Sequence, residues 1–476
     1  MADQTTGPSI PKPGEQYVFE VDLNTCTGCK GCVTACHNLN GLKPEESWRS
    51  VGVMESISGK LSQSITTSCH HCLDPACLSG CPTIAYVKDP LTGVVRHLDD
   101  QCIGCQYCIL RCPYEAPKWI PSLGIVRKCD MCTERLEIGE ETACQQGCPN
   151  GAISIGVRDK RDIAIQGGWP VPVAAPWEYT SPTTQYLGLS AGTKTRELEE
   201  HYEPEKAHLP LVLMLILTQF SVGLWGISFF LEEMKLLQTI SVVTALSGLV
   251  SSTFHLGHPE KAYRAFLGFR TSWLSREVVF FGLYAPMAAG CVGADWLIGN
   301  GWVEPSYLTG LLVGQWVAFG FGMFGVFASA KLYQTTPRPL WKGSKALLGF
   351  PMTALILGSA FAYSYSPLES HQWLLWVLMA SSQSWLLLEI RRNHRPKGLS
   401  PQLRSLLQGP LKGEWNLQRY GLFVFGLVVP CLLLGYPDSA PVSSLMFYGL
   451  LAACVFERHL FFKLGIGPRM PKGEAG

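Results

Sequence analysis

Sixteen of the nineteen cysteines lie between Cys26 and Cys148, in four groups of four. The groups are Cys26-x2-Cys29-x2-Cys32-x3-Cys36, Cys69-x2-Cys72-x4-Cys77-x3-Cys81, Cys102-x2-Cys105-x2-Cys108-x3-Cys112 and Cys129-x2-Cys132-x11-Cys144-x3-Cys148. Pro82, Pro113 and Pro149 directly follow three of the four closing cysteines. A cubane iron–sulfur cluster needs one thiolate at each of its four iron corners. Three cysteines at x2 spacing wrap three corners. The fourth, three residues later and beside proline, points away and caps a different cluster. The groups must therefore pair, although the spacings alone do not say which with which. Sixteen thiolates serve four [4Fe–4S] clusters, and four one-electron centres in a row form a wire.

Zinc prefers two Cys-x2-Cys pairs per tetrahedral site and leaves the third x2 cysteine and the Cys-Pro endings unexplained. No secretory or twin-arginine signal is read ahead of these groups, so dense thiols are expected to be metal ligands rather than disulfides. The cysteine region leaves little room for an apolar core. The clusters are expected to act as core, and the metal-free domain is expected not to fold. Strand-like runs at 17–21 and 151–155 flank the ligand loops. Lys30, Arg111 and Lys128 lie near ligands, where positive charge would raise a cluster's potential; the plainer reading of each is solvated surface. His70 and His71 are not needed as ligands.

Residues 161–206 read as an extended linker, because Gly167, Gly168, Pro170, Pro172, Pro176 and Pro182 interrupt regular structure. From residue 207 to 476, eight apolar segments approach the ~20 residues that cross a bilayer. They run approximately over 208–231, 236–254, 278–298, 307–330, 346–364, 372–389, 420–436 and 442–461. Gly320, Gly322, Gly325 and Ala328 suggest close helix packing in the fourth. Loop two carries Lys261, Arg264, Arg270 and Arg276, and loops four and six and the tail are also basic. The other face has only Lys235, with acids at Glu232, Glu233, Asp295, Glu304, Glu369 and Asp438. By the positive-inside rule, the chain is expected in the inner membrane with its cysteine domain cytoplasmic. A formal net charge of +1 gives no pull toward nucleic acid.

A wire joined to a polytopic anchor suggests exchange with a membrane-soluble carrier. His208, His255, His258, His371, His394 and His459 fall at or beyond expected helix ends, so facing axial ligands and haem are not expected. That leaves a quinone, whose two electrons travel with two protons. His255 and Glu277 bracket the loop between spans two and three, on the cluster face, and are the candidate quinone residues. Helix capping and pairing with a nearby arginine are the structural alternatives. Glu457 and Arg458 invite the same reading. Cys291, Cys431 and Cys454 stand alone in apolar spans as packing residues.

Two stretches carry a family resemblance. Cys102-Ile-Gly-Cys-Gln-Tyr-Cys, Arg111-Cys-Pro-Tyr-Glu-Ala-Pro, Lys128-Cys-Asp-Met-Cys and Ala143-Cys-Gln-Gln-Gly-Cys-Pro resemble the iron–sulfur subunit of the dimethyl sulfoxide reductase family, over residues 17–160. Phe254-His-Leu-Gly-His-Pro-Glu-Lys-Ala-Tyr, Ser272-Trp-Leu-Ser-Arg-Glu277, Ala330-Lys-Leu-Tyr-Gln-Thr and Phe456-Glu-Arg-His resemble its anchor subunit. The resemblance implies that the outer groups pair and the inner groups pair. Cys26, Cys29 and Cys32 would then share a cluster with Cys148, and Cys129, Cys132 and Cys144 with Cys36. Cys69, Cys72 and Cys77 would join Cys112, and Cys102, Cys105 and Cys108 would join Cys81. It also implies menaquinone or ubiquinone binding without haem, with roles for His255 and Glu277, and a separate molybdopterin-containing catalytic subunit. The two subunits are usually separate chains and are fused here. A cytoplasmic cluster domain is similar to the sulfite-oxidising members, which leaves the direction of flow and the substrate open; a sulfur compound such as sulfite or dimethyl sulfoxide is the class the resemblance implies. The alternative is the electron-transfer subunit of a membrane-bound hydrogenase or another quinone-linked respiratory complex.

The expected architecture is two-part. A ferredoxin-like α+β domain with four clusters (1–160) precedes an all-α polytopic bundle of about eight transmembrane helices (207–476).

Overall fold

The computed structural model describes residues 8–56, 62–165, 175–188, 195–197, 204–231, 234–304, 308–365, 369–393, 401–436, 439–467 and 470. Of the residues read above, Gly167, Gly168, Pro170, Pro172, Glu232, Glu233, His394 and Asp438 lie outside the described residues. The chain divides into two units. The first comprises residues 1–201, 257–272 and 467–476; the second comprises 202–256 and 273–466.

In the first unit, β1 (Glu15–Asp22) pairs antiparallel with β8 (Ile153–Asp159), setting Phe19 opposite Ile155 and Val21 opposite Ile153. Tyr17 and Phe19, two residues apart, share one core, and Gln16 and Val18 on the opposite face are buried as well, so this part of β1 is covered on both sides. β2 (Ser50–Ser56) and β3 (Ser62–Thr67) form a hairpin. Two shorter hairpins, β4 (Tyr86–Lys88) with β5 (Val95–His97) and β6 (Lys118–Ile120) with β7 (Ile125–Arg127), follow the inner cysteine groups. Short helices α1 (Gly31–Leu39), α2 (Ala76–Gly80), α3 (Tyr107–Arg111), α4 (Thr133–Glu137) and α5 (Ala143–Gln146) carry or adjoin cysteines of the four groups. The apolar cores are built around thiols. One gathers Tyr17, Phe19, Val94 and Ile153 about Cys32, Cys69, Cys129 and Cys144. Another gathers Ala85, Tyr86, Ile125 and Val126 about Cys81, Cys102 and Cys108.

The expected linker contains regular structure in its described parts. After α6 (Lys160–Ile165), β9 (Gln185–Leu187) runs parallel to β1, and β10 (Thr195–Glu197) pairs with β2. Thr183, Thr184 and Tyr186 are buried, which explains why proline-rich chain is held in strand form here.

The second unit is helical. Among the described residues, seven helices are long and apolar enough to cross a membrane. They are α7 (Leu209–Ser228), α8 (Met234–Thr253), α9 (Trp273–Gly299), α10 (Leu308–Gln334), α11 (Ser344–Tyr365), the continuous run Lys412–Gly435 and α16 (Ala440–Lys463). α12 (Trp373–Asn393) is shorter in its apolar part, 373–387. The run Lys412–Gly435 comprises α14 (Lys412–Phe423), a π turn at Val424–Val428 and α15 (Val429–Gly435). The π turn ends two residues before Pro430, whose missing N–H and ring disturb the helical ladder. An amphipathic α13 (Pro401–Gln408) lies in loop six, where no helix was expected. A Cβ on Gly322 would meet Val222 at 2.8 Å and one on Gly325 would meet Phe281 at 2.7 Å, so both glycines set helix contacts. Cys291 and Cys454 are buried; Cys431 is largely exposed, with its Sγ 3.6 Å from Met379 Sδ.

Candidate functional site

Each ligand loop is shaped by left-handed backbone. In the first and third groups the pattern is Cys-x-Gly-Cys followed by a second left-handed residue, Gly28 with Lys30 and Gly104 with Gln106. Such turns aim successive N–H groups inward, a concavity suited to anionic sulfur. The Cys-Pro endings share a second device. Ile84, Glu115 and Gly151, three residues after each closing cysteine, are all left-handed. The next residue is alanine each time. Ala85 N–H donates to Cys81 Sγ at 3.2 Å, Ala152 N–H to Cys148 Sγ at 3.2 Å, and Ala116 N–H to Cys112. This Cys-Pro-x-x-Ala repeat is legible in the sequence at 81–85, 112–116 and 148–152.

The structure brings the thiols into four sets. Cys26 is flanked by Cys29 and Cys148, and Cys32 also lies near Cys148. Cys36 is flanked by Cys144 and Cys132, and Cys129 by Cys36. The third set, Cys69, Cys72, Cys77 and Cys112, lines one small cavity. The fourth set, Cys81, Cys102, Cys105 and Cys108, lines another. In both cavities three thiols come from one group and one from its neighbour. Four soft thiolates around a small enclosed void, with N–H donors on the sulfurs, suit a polynuclear iron–sulfur centre. Among the described residues, no three His, Cys, Asp or Glu side chains are placed to hold a single metal ion.

Lys128 departs from the surface reading. It is 3% exposed, donates to Cys129 O at 2.8 Å and to Val95 O, and lines the third-set cavity. Lys30 is exposed, and Arg111 is partly buried with its guanidinium over Tyr179. Arg49, which sequence reasoning missed, is also 3% exposed. It donates to Thr66 Oγ1 at 3.2 Å and to Ser68 Oγ at 3.0 Å, and Thr66 Oγ1 stands 3.5 Å from Cys32 Sγ. His70 and His71 are fully enclosed. His70 Nδ1 is 2.7 Å from Thr184 Oγ1, and His71 Nδ1 accepts from Val95 N–H at 3.0 Å. Burial holds both imidazoles well below their usual range, so they are neutral.

Residues 257–272 belong to the first unit and pack on the fourth set. His258 N–H donates to Ile103 O at 3.1 Å, and His258 Nε2 to Leu123 O at 3.0 Å. Arg264 Nη1 donates to Asp100 O, Gly268 N–H to Pro82 O, and Ser272 Oγ to Gly80 O at 2.7 Å. The fit depends on glycine. A Cβ on Gly257 would lie 2.7 Å from the Trp119 ring, and one on Gly104 would lie 2.8 Å from Gly257 N. Gly257→Ala is expected to cost about 1–3 kcal/mol of local packing. Faster amide exchange confined to 257–272, with unchanged iron content, is the expected readout.

Within the second unit, His255 follows the end of α8. Its Nδ1 contacts Ser252 O, which can only accept, so Nδ1 carries the hydrogen and Nε2 is free to accept. Burial pushes the His255 imidazole down to about 4, so it is neutral near pH 7. Glu277 lies near the start of α9 and is 4% exposed, with Ser329 Oγ against its Oε1. Among the described residues no cation pairs with Glu277, and no hydrogen bond joins it to His255. Arg276 lies over the Trp273 ring at 4.3 Å instead. Glu457 does pair with Arg458, at 3.6 Å. Arg458 also reaches Gln219 at 3.1 Å and Thr353 at 3.3 Å, tying α16 to α7 and α11.

Comparison with known proteins accounts for both units. The DMSO reductase anchor subunit (DmsC) family matches residues 205–464, and the 4Fe-4S dicluster domain family matches residues 62–158. An anaerobic dimethyl sulfoxide reductase subunit of Escherichia coli (strain K12) is 38% identical over 155 residues, 30% of this chain and 75% of that protein. The formate dehydrogenase-O iron-sulfur subunit of the same strain is 32% identical over 174 residues, 33% of this chain and 58% of that protein. Hydrogenase-2 operon protein HybA of Escherichia coli O157:H7 is 33% identical over 192 residues, with 33% and 58% covered. This chain thus belongs to the DMSO reductase anchor subunit family and is a multi-pass membrane protein with a [4Fe–4S] electron-transfer domain fused ahead of the anchor.

Proposed function

We propose that the four thiol sets hold four [4Fe–4S] clusters forming one wire. The wire links a separate molybdopterin-containing catalytic subunit to the membrane quinone pool. The carrying observation is segment 257–272, which packs on the fourth set and is continuous in the chain with α8 at one end and α9 at the other. Electrons at that set are then next to the loop whose flanks bear His255 and Glu277. Bound clusters supply one-electron transfer; the chain's own residues handle the protons. His255 Nε2 accepts a hydrogen bond from a quinol hydroxyl, and the Glu277 carboxylate takes or returns a proton. An apolar groove of about 540 Å³ lined by Leu209, Leu213, Leu246, Val250 and Phe254 suits an isoprenoid tail; Phe254 directly precedes His255. The basic loops two, four and six support a cytoplasmic cluster domain. A sulfur compound such as sulfite or dimethyl sulfoxide is the proposed substrate class of the partner.

A hydrogenase-linked role is the second reading, favoured by the likeness of the N-terminal part to a hydrogenase operon protein. Metal analysis of the complex purified in mild detergent separates the two. The expected result is about 16 irons on this chain, four per cubane, with molybdenum or tungsten in the co-purifying subunit. Nickel in that subunit would select the hydrogenase reading, and fewer than 16 irons would remove the four-cluster wire.

A further inference from the structure

Buried groups stand at the three junctions between neighbouring thiol sets, and they are not equivalent. Arg49 stands between the first and second sets. It reaches Cys32 through Thr66, and Cys144, Cys129 and Cys36 are its other sulfur neighbours. Its Cζ lies 4.8 Å from the Phe19 ring centroid, which keeps water from that face. Lys128 stands between the second and third. It donates to the carbonyl of Cys129 while lining the cavity of Cys69, Cys72, Cys77 and Cys112. Lys88 adds a partly buried ammonium on the third set, donating to Cys72 O at 3.0 Å.

Between the third and fourth sets stands a neutral group, Tyr86, 3% exposed, with Cys77 on one side and Cys108 and Cys81 on the other. No Lys or Arg lines the fourth-set cavity among the described residues. Its nearest ionisable lining residue, His97, is tied to Asp99 at 2.9 Å, and Asp99 also holds Arg127 at 2.7 Å. Lys261 and Arg264 reach Asp100 O from the outside, where solvent screens them.

A reduced cluster carries one more negative charge than an oxidised one. A fixed cation in a dry, low-dielectric site stabilises the reduced form far more than an exposed cation does. We propose that Arg49 and Lys128 set the order of potentials along the wire. They raise the first three centres and leave the centre held by Cys81, Cys102, Cys105 and Cys108 as the lowest. This rests on the four-cluster reading and goes beyond it, since that reading assigns no order.

The test is a potentiometric titration of the intact complex followed by electron paramagnetic resonance. The fourth-set signal is assigned by its loss in Cys102→Ser. In the unmodified complex that signal should be the last to appear on reduction. In Lys128→Met, two centres should fall by at least a tenfold change in reduced-to-oxidised ratio, about 59 mV for one electron. The fourth-set centre should stay in place, and Lys128→Arg should restore the unmodified pattern. If Lys128→Met loses iron, Lys128→Gln keeps a hydrogen-bonding head and carries the same test. Four centres with the fourth-set signal not the lowest, or all shifting equally, would overturn the proposal. Fewer than four centres in the unmodified complex would overturn the wire reading first.

Discussion

Glu277→Gln is expected to slow reoxidation of dithionite-reduced clusters by a quinone analogue by roughly 10²–10⁴-fold, the usual contribution of a positioned proton donor or acceptor. Reduction by dithionite should be unchanged. The substitution is nearly isosteric, and an amide still bonds Ser329 Oγ, so the start of α9 keeps its packing. What it removes is a group able to exchange a proton. Glu277 is buried with no cationic partner among the described residues, which is costly for a purely structural carboxylate. Ser329→Ala, which leaves the carboxylate in place, should have a much smaller effect. Stopped-flow bleaching of the cluster absorbance measures both, with iron content as the control. An unchanged rate in Glu277→Gln would take the residue out of quinone chemistry.

Stripping iron with a chelator under mild oxidation is expected to unfold the first unit and leave the second helical. The cores of the first unit contain the thiols themselves, and two cavities are each lined by four of them. Each cluster would tie four thiols from two separate stretches of chain, and in small metal domains the free energy of metal binding is folding free energy. A domain's whole stability is about 5–15 kcal/mol. Arg49 and Lys128 would be left as buried cations without their anionic centres, a further large cost. Limited proteolysis should then cut within 8–165, while the far-ultraviolet helical signal of α7 to α16 persists. Protection of 8–165 after iron loss would show that apolar packing alone holds the unit.

Sequence is most informative where one physical demand dominates. Thiol spacing announces clusters because few other sites ask for three cysteines at x2. Apolar runs announce spans because lipid tolerates little else, and among the described residues seven helices plus the shorter α12 overlap the expected segments. It is least informative where burial depends on a partner absent from the local pattern. Lys128 reads as surface because lysine usually is, and nothing near Arg49 in the sequence singles it out; only the convergence of distant thiols reveals why both are inside. Tyr186 and Thr183 gave no sign in a proline-rich stretch that they would be buried, since β9 is defined by pairing with β1. Segment 257–272 carries Lys261, Arg264 and Arg270 and reads as a polar loop. Its packing on the fourth set rests on backbone carbonyls and on the absence of a side chain at Gly257, neither of which has a periodic signature. His255 and Glu277 were legible as ionisable residues at span ends, but their hydrogen-bond partners were not.

The central claim is that this chain passes electrons between its clusters and a membrane quinone. Its most direct test is rapid mixing of the dithionite-reduced, detergent-solubilised complex with a short-tailed menaquinone analogue, following cluster absorbance. The account predicts reoxidation that saturates with quinone concentration and is lost in Glu277→Gln. Clusters that stay reduced, or that reoxidise at the same rate in the variant and without saturation, would contradict it.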